Sequence, residues 1–333
     1  MQPEDQQYLP LLPEVTFRLG RGEEDAASYV ALLQACWHID AIDPYSLLEY
    51  IPTMEEMAAS FARFDPRYVL VALVHEQMIG CVRATWWEEE DGTWLFLHLG
   101  RVHPAWRGRG LGTAFVRWME QRLRALAKTY PTKGKGTFGA NASSTETSAT
   151  ALLLNEGYTV YYTSAEMELT ELTSFDHLQR PSLPEGFVLR PTIPEHYRTI
   201  WEAGNRYWAG LTRATNVPTE EDYQEFLSLI TPDPVLLIVI WHDEQPVAIV
   251  QGHMPQDSGP GVVDDVVVSP AYKRLGLARA AMTEQIIAMK KRGAQRIRLF
   301  TDASNRHGAR SLYEKLGFRV VKLFPRYRKP MGV

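Results

Sequence analysis

The sequence predicts an α+β chain made of two tandem copies of one domain. The first observation is a repeated loop: Arg107-Gly108-Arg109-Gly110-Leu111-Gly112 recurs in thinner form as Lys273-Arg274-Leu275-Gly276-Leu277-Ala278. The second is its setting, which both copies share. A β-rich apolar strand (Leu95–Val102; Val262–Val268) runs into a short residue pair ending in proline (His103-Pro104; Ser269-Pro270), then the loop, then an amphipathic helical pattern. A length of 333 residues agrees, being long for one compact core and natural for two.

Each element follows from local pattern. The first copy opens with a strand at Val15–Leu19 and helices at Asp25–Trp37 and Thr53–Phe64. Strands Tyr68–His75 and Met78–Trp87 flank a tight turn at Glu76-Gln77, and the acidic tip Glu88–Asp91, closed by Gly92, reads as a solvated hairpin turn. Strand Trp94–Val102 then leads into the loop. Leu111, Ala114, Phe115, Trp118, Met119, Leu123 and Leu126 recur at helical spacing and form one apolar face. A strand at Thr137–Ala140, a helix ending near Glu156, and strands Tyr158–Thr163 and Glu166–Leu172 complete the copy. Residues 174–186, with Pro181 and Pro184, read as a linker, giving domains 1–173 and 187–333.

The second copy repeats the order. A strand at Phe187–Arg190 precedes helices around Pro194–Tyr207 and Thr219–Leu229, then strands Val235–Trp241, Val247–His253 and Val262–Val268. The helix after the loop faces Ala278, Ala281, Met282, Gln285, Ile286 and Met289 to one side. It ends in Lys290, Lys291 and Arg292 before Gly293, a basic and then permissive C-terminus. Strand Arg296–Asp302, helix Gly308–Leu316 and strand Phe318–Phe324 follow.

Composition narrows the function classes. Hydrophobic content of 45% and charged content of 23% belong to a globular protein, and a net charge of -5 gives no footprint for nucleic acid. The basic stretch Lys128–Lys135 reads as a solvated loop. Two cysteines, Cys36 and Cys81, make neither a disulfide framework nor a metal cluster, so a reducing cytoplasm and no metal are expected. Met1–Pro10 lacks the basic and apolar parts of a signal peptide, and the run Val235–Trp241 is too short to span a membrane.

The repeated loop carries the chemistry. A Gly-rich turn feeding a helix aims several backbone N–H groups at one point, where the helix dipole adds positive potential; phosphate is the natural ligand. Arg107 and Arg109, or Lys273 and Arg274, can add ionic contacts. The loop lacks the Gly-Lys-Ser/Thr ending of a P-loop. It is not a dinucleotide fingerprint either, because Thr113 stands where the third glycine is required.

Arg107, Gly110 and Gly112 after a strand ending Val-His-Pro resemble the pyrophosphate loop of the GNAT acyl-CoA-dependent N-acetyltransferases. Gly276 and Ala278 fit the same motif, with Lys273 in place of the usual Arg or Gln. Asn305, Gly308, Ala309, Leu312, Tyr313, Gly317 and Phe318 resemble a second signature of that family, its Asn-to-Gly-Phe helix. The resemblance covers nearly the whole chain. It implies two GNAT-like domains, each a mixed, mostly antiparallel sheet with helices on both faces. It also implies acetyl-CoA as acyl donor, a small primary amine as acceptor, and a monomer or homodimer. The positions expected to contact coenzyme A are Val102, Arg107, Gly108, Arg109, Gly110, Leu111, Gly112 and Thr113 in the first copy. In the second they are Val266, Val268, Lys273, Arg274, Leu275, Gly276, Leu277, Ala278, Arg279 and Asn305.

Aligning Gly157-Tyr158 with Gly317-Phe318 sets Leu153 opposite Tyr313. By resemblance Tyr313 protonates the departing thiolate; leucine cannot, so the second copy is expected to be the catalyst and the first a binding module. An ordinary amine is neutral in only about one molecule in a few thousand at pH 7, so a base is needed. Asp264 and Asp265 precede the second loop, and strand alternation sends them to opposite faces. Asp264, sharing parity with Val266 and Val268, is favoured as base, with Asp265 the alternative. A backbone N–H around Val266–Val268 would serve the thioester carbonyl. In the first copy His98 falls at the equivalent place and reads as structural rather than basic. Tyr207, Trp208, Tyr223, Trp241 and His253 either line an acceptor cavity or belong to the core. Two other activities remain open: a non-catalytic acyl-CoA sensor and an acetyltransferase of protein amines.

Overall fold

The computed structural model describes residues 7–89, 91–130, 136–172, 180–209, 218–255, 259–306 and 308–332. The chain divides into two compact units, Met1–Thr163 with Leu323–Val333, and Ser164–Lys322. Of the sequence features, linker residues 174–179, Glu90 of the acidic tip and 131–135 of the basic stretch lie outside the described residues. Among the described residues no helix is long and apolar enough to cross a membrane.

In the first unit β1 (Thr16–Leu19), β2 (Val69–Val74), β3 (Gln77–Glu88), β4 (Trp94–Val102), β5 (Gly136–Asn141) and β12 (Arg319–Pro330) are neighbours in that order. Only β4 and β5 run parallel. Alternation along β2 feeds both faces. Val69, Val71 and Leu73 pack beneath α1 (Ala26–Cys36) and α2 (Met54–Ala62), while Leu70 and Ala72 pack beneath α3 (Leu111–Ala127) and α4 (Thr147–Asn155). The α3 face foreseen from spacing is the buried one, with Leu126 at its margin.

The second unit repeats this plan as β6 (Thr159–Leu169), β11 (Ile297–Asp302), β10 (Gly261–Val268), β9 (Gln245–His253), β8 (Leu237–His242) and β7 (Phe187–Leu189). Again one pair, β10 with β11, is parallel. Leu237, Val239 and Trp241 face α5 (Tyr197–Ala209) and α6 (Glu220–Ile230). Ile238 and Ile240 face α7 (Leu277–Lys291) and α8 (Ala309–Lys315). Both units open with the same hairpin: Val74↔Gln77 and His242↔Gln245 enclose His75-Glu76 and Asp243-Glu244. All four enclosed residues have positive φ (47, 65, 47 and 61°), the two-residue turn that matches strand twist. The first of these turns thus lies one residue earlier than the Glu76-Gln77 expected from the sequence.

The sixth strand of each sheet comes from the other copy, so the compact units are not the contiguous halves 1–173 and 187–333. Glu166–Leu169 is no separate strand ending the first domain; it continues β6, whose Ser164–Leu169 segment pairs with β11. The Arg326–Pro330 segment of β12 pairs with β5. Hydrophobic alternation fixes that a segment is a strand, but not which equivalent sheet receives it. Ionic groups fasten both exchanged strands. In the second unit, buried Arg298 bonds Glu168 through Nε (2.6 Å) and reaches Glu166 (3.4 Å). In the first, Lys329 bonds buried Glu120 of α3 (2.8 and 3.0 Å), and Arg328 clasps Glu89 (2.7 and 2.5 Å). The acidic tip is therefore ion-paired at Glu89, not wholly solvated.

Removing Arg298 takes the nearest cation from buried Glu168, which keeps Arg296 only at 3.7 Å, and from buried Glu166. Arg298→Leu is expected to lower unfolding free energy by roughly 3–5 kcal/mol, read from urea denaturation midpoints at unchanged slope. A loss below 1 kcal/mol would mean that the exchanged strand is not held by this charge group.

Candidate active site

The two loops have one backbone shape. Ser269 and His103 share φ near -50° and ψ near 130°, and Lys273 and Arg107 share extended angles (φ -63 and -68°, ψ 153 and 156°). Gly110 and Gly276 cap α3 and α7 in the left-handed region (φ 86 and 82°). Their carbonyls accept from Ala114 and Ala280 at 3.0 Å, leaving the first-turn N–H groups without intrahelical acceptors. A Cβ on Gly108 or Gly276 would meet nothing within 4 Å, so the space before each helix end is open. At the position of Gly108 the second loop has Arg274, also left-handed (φ 65°). It holds the same turn without glycine at a strain of about 1 kcal/mol.

The loops differ in where their cations go. The Arg107 guanidinium turns inward: Nε donates to the Val102 carbonyl (3.1 Å), and both terminal nitrogens bond buried Asp40 (2.6 and 2.8 Å). The expected ionic contact between Arg107 and phosphate is therefore corrected. Its charge is neutralised by Asp40, and it offers the loop only its main chain. Arg109 is exposed and lies over the Trp106 ring (4.5 Å). In the second loop Lys273, Arg274 and Arg279 are all exposed and have no carboxylate partner among the described residues. Leu275 is exposed beside them, while buried Leu277 and half-buried Ala278 open α7. The thinner motif thus keeps more positive charge at its helix end.

Before the second loop, β10 leaves its parallel neighbour. Pairing with β11 ends at Val263↔Leu299, so Asp264–Val268 have β9 alone beside them. A register shift falls between Val263 and Asp265, making Asp264 the extra residue of a β-bulge. The bulge inverts alternation. Val263 and Val267 share parity, yet Val263 packs on the α7–α8 side and Val267 on the α5–α6 side. Val266 and Val268 join the α7–α8 cluster, which also contains Tyr313.

This inversion overturns the parity argument for Asp264. Asp264 is directed to His253, whose Nδ1 lies 2.9 Å from its carboxylate; that bond raises the His253 pKa. Asp265 is the less exposed of the two and takes a hydrogen bond from Trp208 of α5. Burial, reinforced by the charge of Asp264, pushes its carboxyl up to about 6 against that hydrogen bond. Tyr313 is buried on α8. Burial, with the nearby Asp265 charge, pushes its phenol up to about 12. A group that accepts protons near neutrality thus acts electrostatically on one that stays protonated there.

Asn305 serves its own helix: its Nδ2 donates to Ser311 Oγ (2.7 Å), and its Oδ1 accepts from Ser311 N (3.3 Å).

The first unit has the same frame with different groups. Parallel pairing of β4 with β5 also stops early, at His98↔Ala140, but without a bulge. Tyr158 N donates to Leu153 O as Phe318 N does to Tyr313 O, both at 3.0 Å, so Leu153 does occupy the Tyr313 position. Counting back from the loops sets Leu99 at the Asp265 position. His98 is buried, and its Nε2 lies 2.7 Å from the Tyr158 hydroxyl. Burial, with the nearby Lys329 charge, lowers its pKa to about 4, as a structural histidine. A cavity of about 580 Å³ follows the first loop, lined by Val102, Arg107, Gly108, Gly110, Gly112, Thr113 and Leu153 among others.

The family model described as "Acetyltransferase (GNAT) family" matches residues 32–131 and 197–318, more than half of the chain. The chain belongs to the GNAT acetyltransferase family. Its relatives include the mycothiol acetyltransferase of Streptomyces avermitilis, 27% identical over 68% of this chain and 69% of that protein. The mycothiol acetyltransferase of Renibacterium salmoninarum is 25% identical over 82% of this chain and 73% of its own length. Among solved structures, a GCN5-related N-acetyltransferase from Sphaerobacter thermophilus is similar over 97% of this chain and 98% of its own. It has a TM-score of 0.74 at 23% identity. A tandem GNAT protein from the clavulanic acid biosynthesis pathway follows at a TM-score of 0.60, with 14% identity, over 96% of this chain and 99% of its own. The fold is thus that of a tandem α+β GNAT, in layout like the mycothiol enzymes.

Within this GNAT, the position of Asp265 has a measurable cost. Its carboxyl pKa rises from 3.8 unfolded to about 6 folded, so the ionised form is disfavoured in the native state. The penalty is absent below the unfolded value, grows between the two, and is complete above about 6. Asp265→Asn is therefore expected to stabilise the protein by roughly 1–3 kcal/mol at pH 8 and by almost nothing at pH 4. Thermal unfolding at both pH values reads this; equal shifts at both would refute it.

Proposed function

We propose that this GNAT transfers an acetyl group from acetyl-CoA to a primary amine of a small molecule, with the chemistry in the second unit. One juxtaposition carries the reading. Asp265 stands where β10 has left β11, its charge acts on the Tyr313 phenol of α8, and both positions are leucine (Leu99 and Leu153) in the first unit. The mycothiol acetyltransferase names of the relatives favour a small acceptor over a protein.

The proposed steps use residues already described. The N–H groups at the start of α7, with Lys273, Arg274 and Arg279 around them, hold the donor's diphosphate. The unpaired edge of Val266–Val268 receives the pantetheine arm, and a backbone N–H there polarises the thioester carbonyl. The amine nitrogen attacks the carbonyl carbon, and Asp265 takes the proton released from nitrogen. As the carbon–sulfur bond breaks, the Tyr313 hydroxyl protonates the leaving sulfur. The Asp264 charge helps keep Asp265 basic. The first unit, with loop and cavity but neither acid nor base, binds coenzyme A without turnover.

Incubation with acetyl-CoA and an amine panel, read by mass spectrometry, is expected to give acetylated small amines. Tyr313→Phe is expected to lower kcat by about 10²–10⁴-fold while KM for acetyl-CoA stays within a few-fold. Unchanged kcat would remove Tyr313 from the chemistry. With Asp265 as base, kcat/KM is expected to fall about tenfold per pH unit below about 6. Persistence of that limb in Asp265→Asn would assign the base elsewhere.

A further inference from the structure

The first unit contains a second cavity, of about 570 Å³, which the transfer chemistry does not use. It lies against β3, β4 and β5 beneath α1, α2 and the segment between them. It shares Gly100, Arg101, Asn141 and Glu146 with the cavity along the first loop, so the two meet where β4 has left β5.

Its charges do not cancel. Three glutamates line it, and each already has donors. Glu146 pairs with Arg101 and accepts from Ser143 N (2.7 Å), Glu56 closes the capping box of Thr53, and Glu49 accepts from Asp43 N (3.3 Å). Among the arginines, Arg326 reaches the Asn141 amide oxygen (3.2 Å, with that amide turned to satisfy both neighbours). Arg83 and Arg63 have no carboxylate partner among the described residues. Arg83 lies over the rings of Phe64 (4.8 Å) and Tyr29 (5.2 Å), and its Nε is sealed from solvent without an acceptor. A guanidinium held in an aromatic wall, lining a cavity and without a carboxylate partner, is a site for a planar anion. The rest of the wall selects among anions. The three glutamates oppose a dianion, and exposed Leu48 and Tyr50 with Ile51 offer apolar surface to an organic body.

We propose that this cavity binds a small organic monocarboxylate, its carboxylate on Arg83 with Arg63 beside it and its apolar part against Leu48 and Tyr50. With leucine at both the acid and the base position of this unit, the ligand is held and not acylated. That the ligand is not acylated rests on the proposed assignment of chemistry to the second unit; its binding does not.

Calorimetry on the whole chain with pyruvate, benzoate and N-acetylalanine tests this, with benzamide as neutral and inorganic phosphate as dianionic comparison. At least one carboxylate is expected to bind below millimolar, at least about tenfold tighter than benzamide or phosphate. Arg83→Met and, separately, exposed Arg63→Ala are each expected to weaken it by about fivefold or more. If Arg83→Met loses its near-ultraviolet dichroism, Arg63→Ala decides. The proposal is overturned if no carboxylate outperforms benzamide, if phosphate binds as well as any carboxylate, or if binding persists unweakened in the folded variants.

Discussion

The site depends on one event in the second sheet: β10 stops pairing with β11 at Val263 and bulges at Asp264. Ending a parallel ladder inside a sheet leaves main-chain donors and acceptors unmet, which a protein tolerates only where another group completes them. Here the same step does three things at once. It frees an edge along Val266–Val268, it turns Asp265 toward α5, and it delivers the chain through Pro270 into the start of α7. Had the strand alternated regularly through Asp264, Asp265 would share the face of Val263, away from Trp208.

The two units separate frame from chemistry. The loops, the glycine caps of α3 and α7 and the hairpin turns have matching backbone angles, down to the 3.0 Å bond that sets Leu153 and Tyr313 in one place. What differs is which side chains the frame carries. The first unit has the fuller glycine loop, yet Asp40 neutralises Arg107; the second replaces a glycine with strained Arg274 and keeps its cations exposed. Motif completeness and electrostatic readiness are therefore different properties.

Much of this was legible in the sequence, for local reasons. Helix faces, caps and both loops depend on residues a few positions apart, so spacing alone located α3, α7 and their glycine caps. The Leu153–Tyr313 correspondence followed from counting to the glycine after each helix. Long-range facts were not legible. Asp40 lies 67 residues from Arg107 and no local pattern links them. The bulge at Asp264 left no mark in a run of valines and aspartates, so alternation could not show which carboxylate faces which side. The partner of each last strand was likewise open, because both sheets offer an equivalent edge.

The exchanged strands bear on how the molecule is made. While the ribosome is still decoding the second half, the first sheet lacks Leu323–Pro330 and ends at β5, whose outer edge waits uncovered. The nascent protein cannot finish one half before beginning the other, and cutting the gene at the midpoint would yield two fragments that each display a bare, adhesive rim.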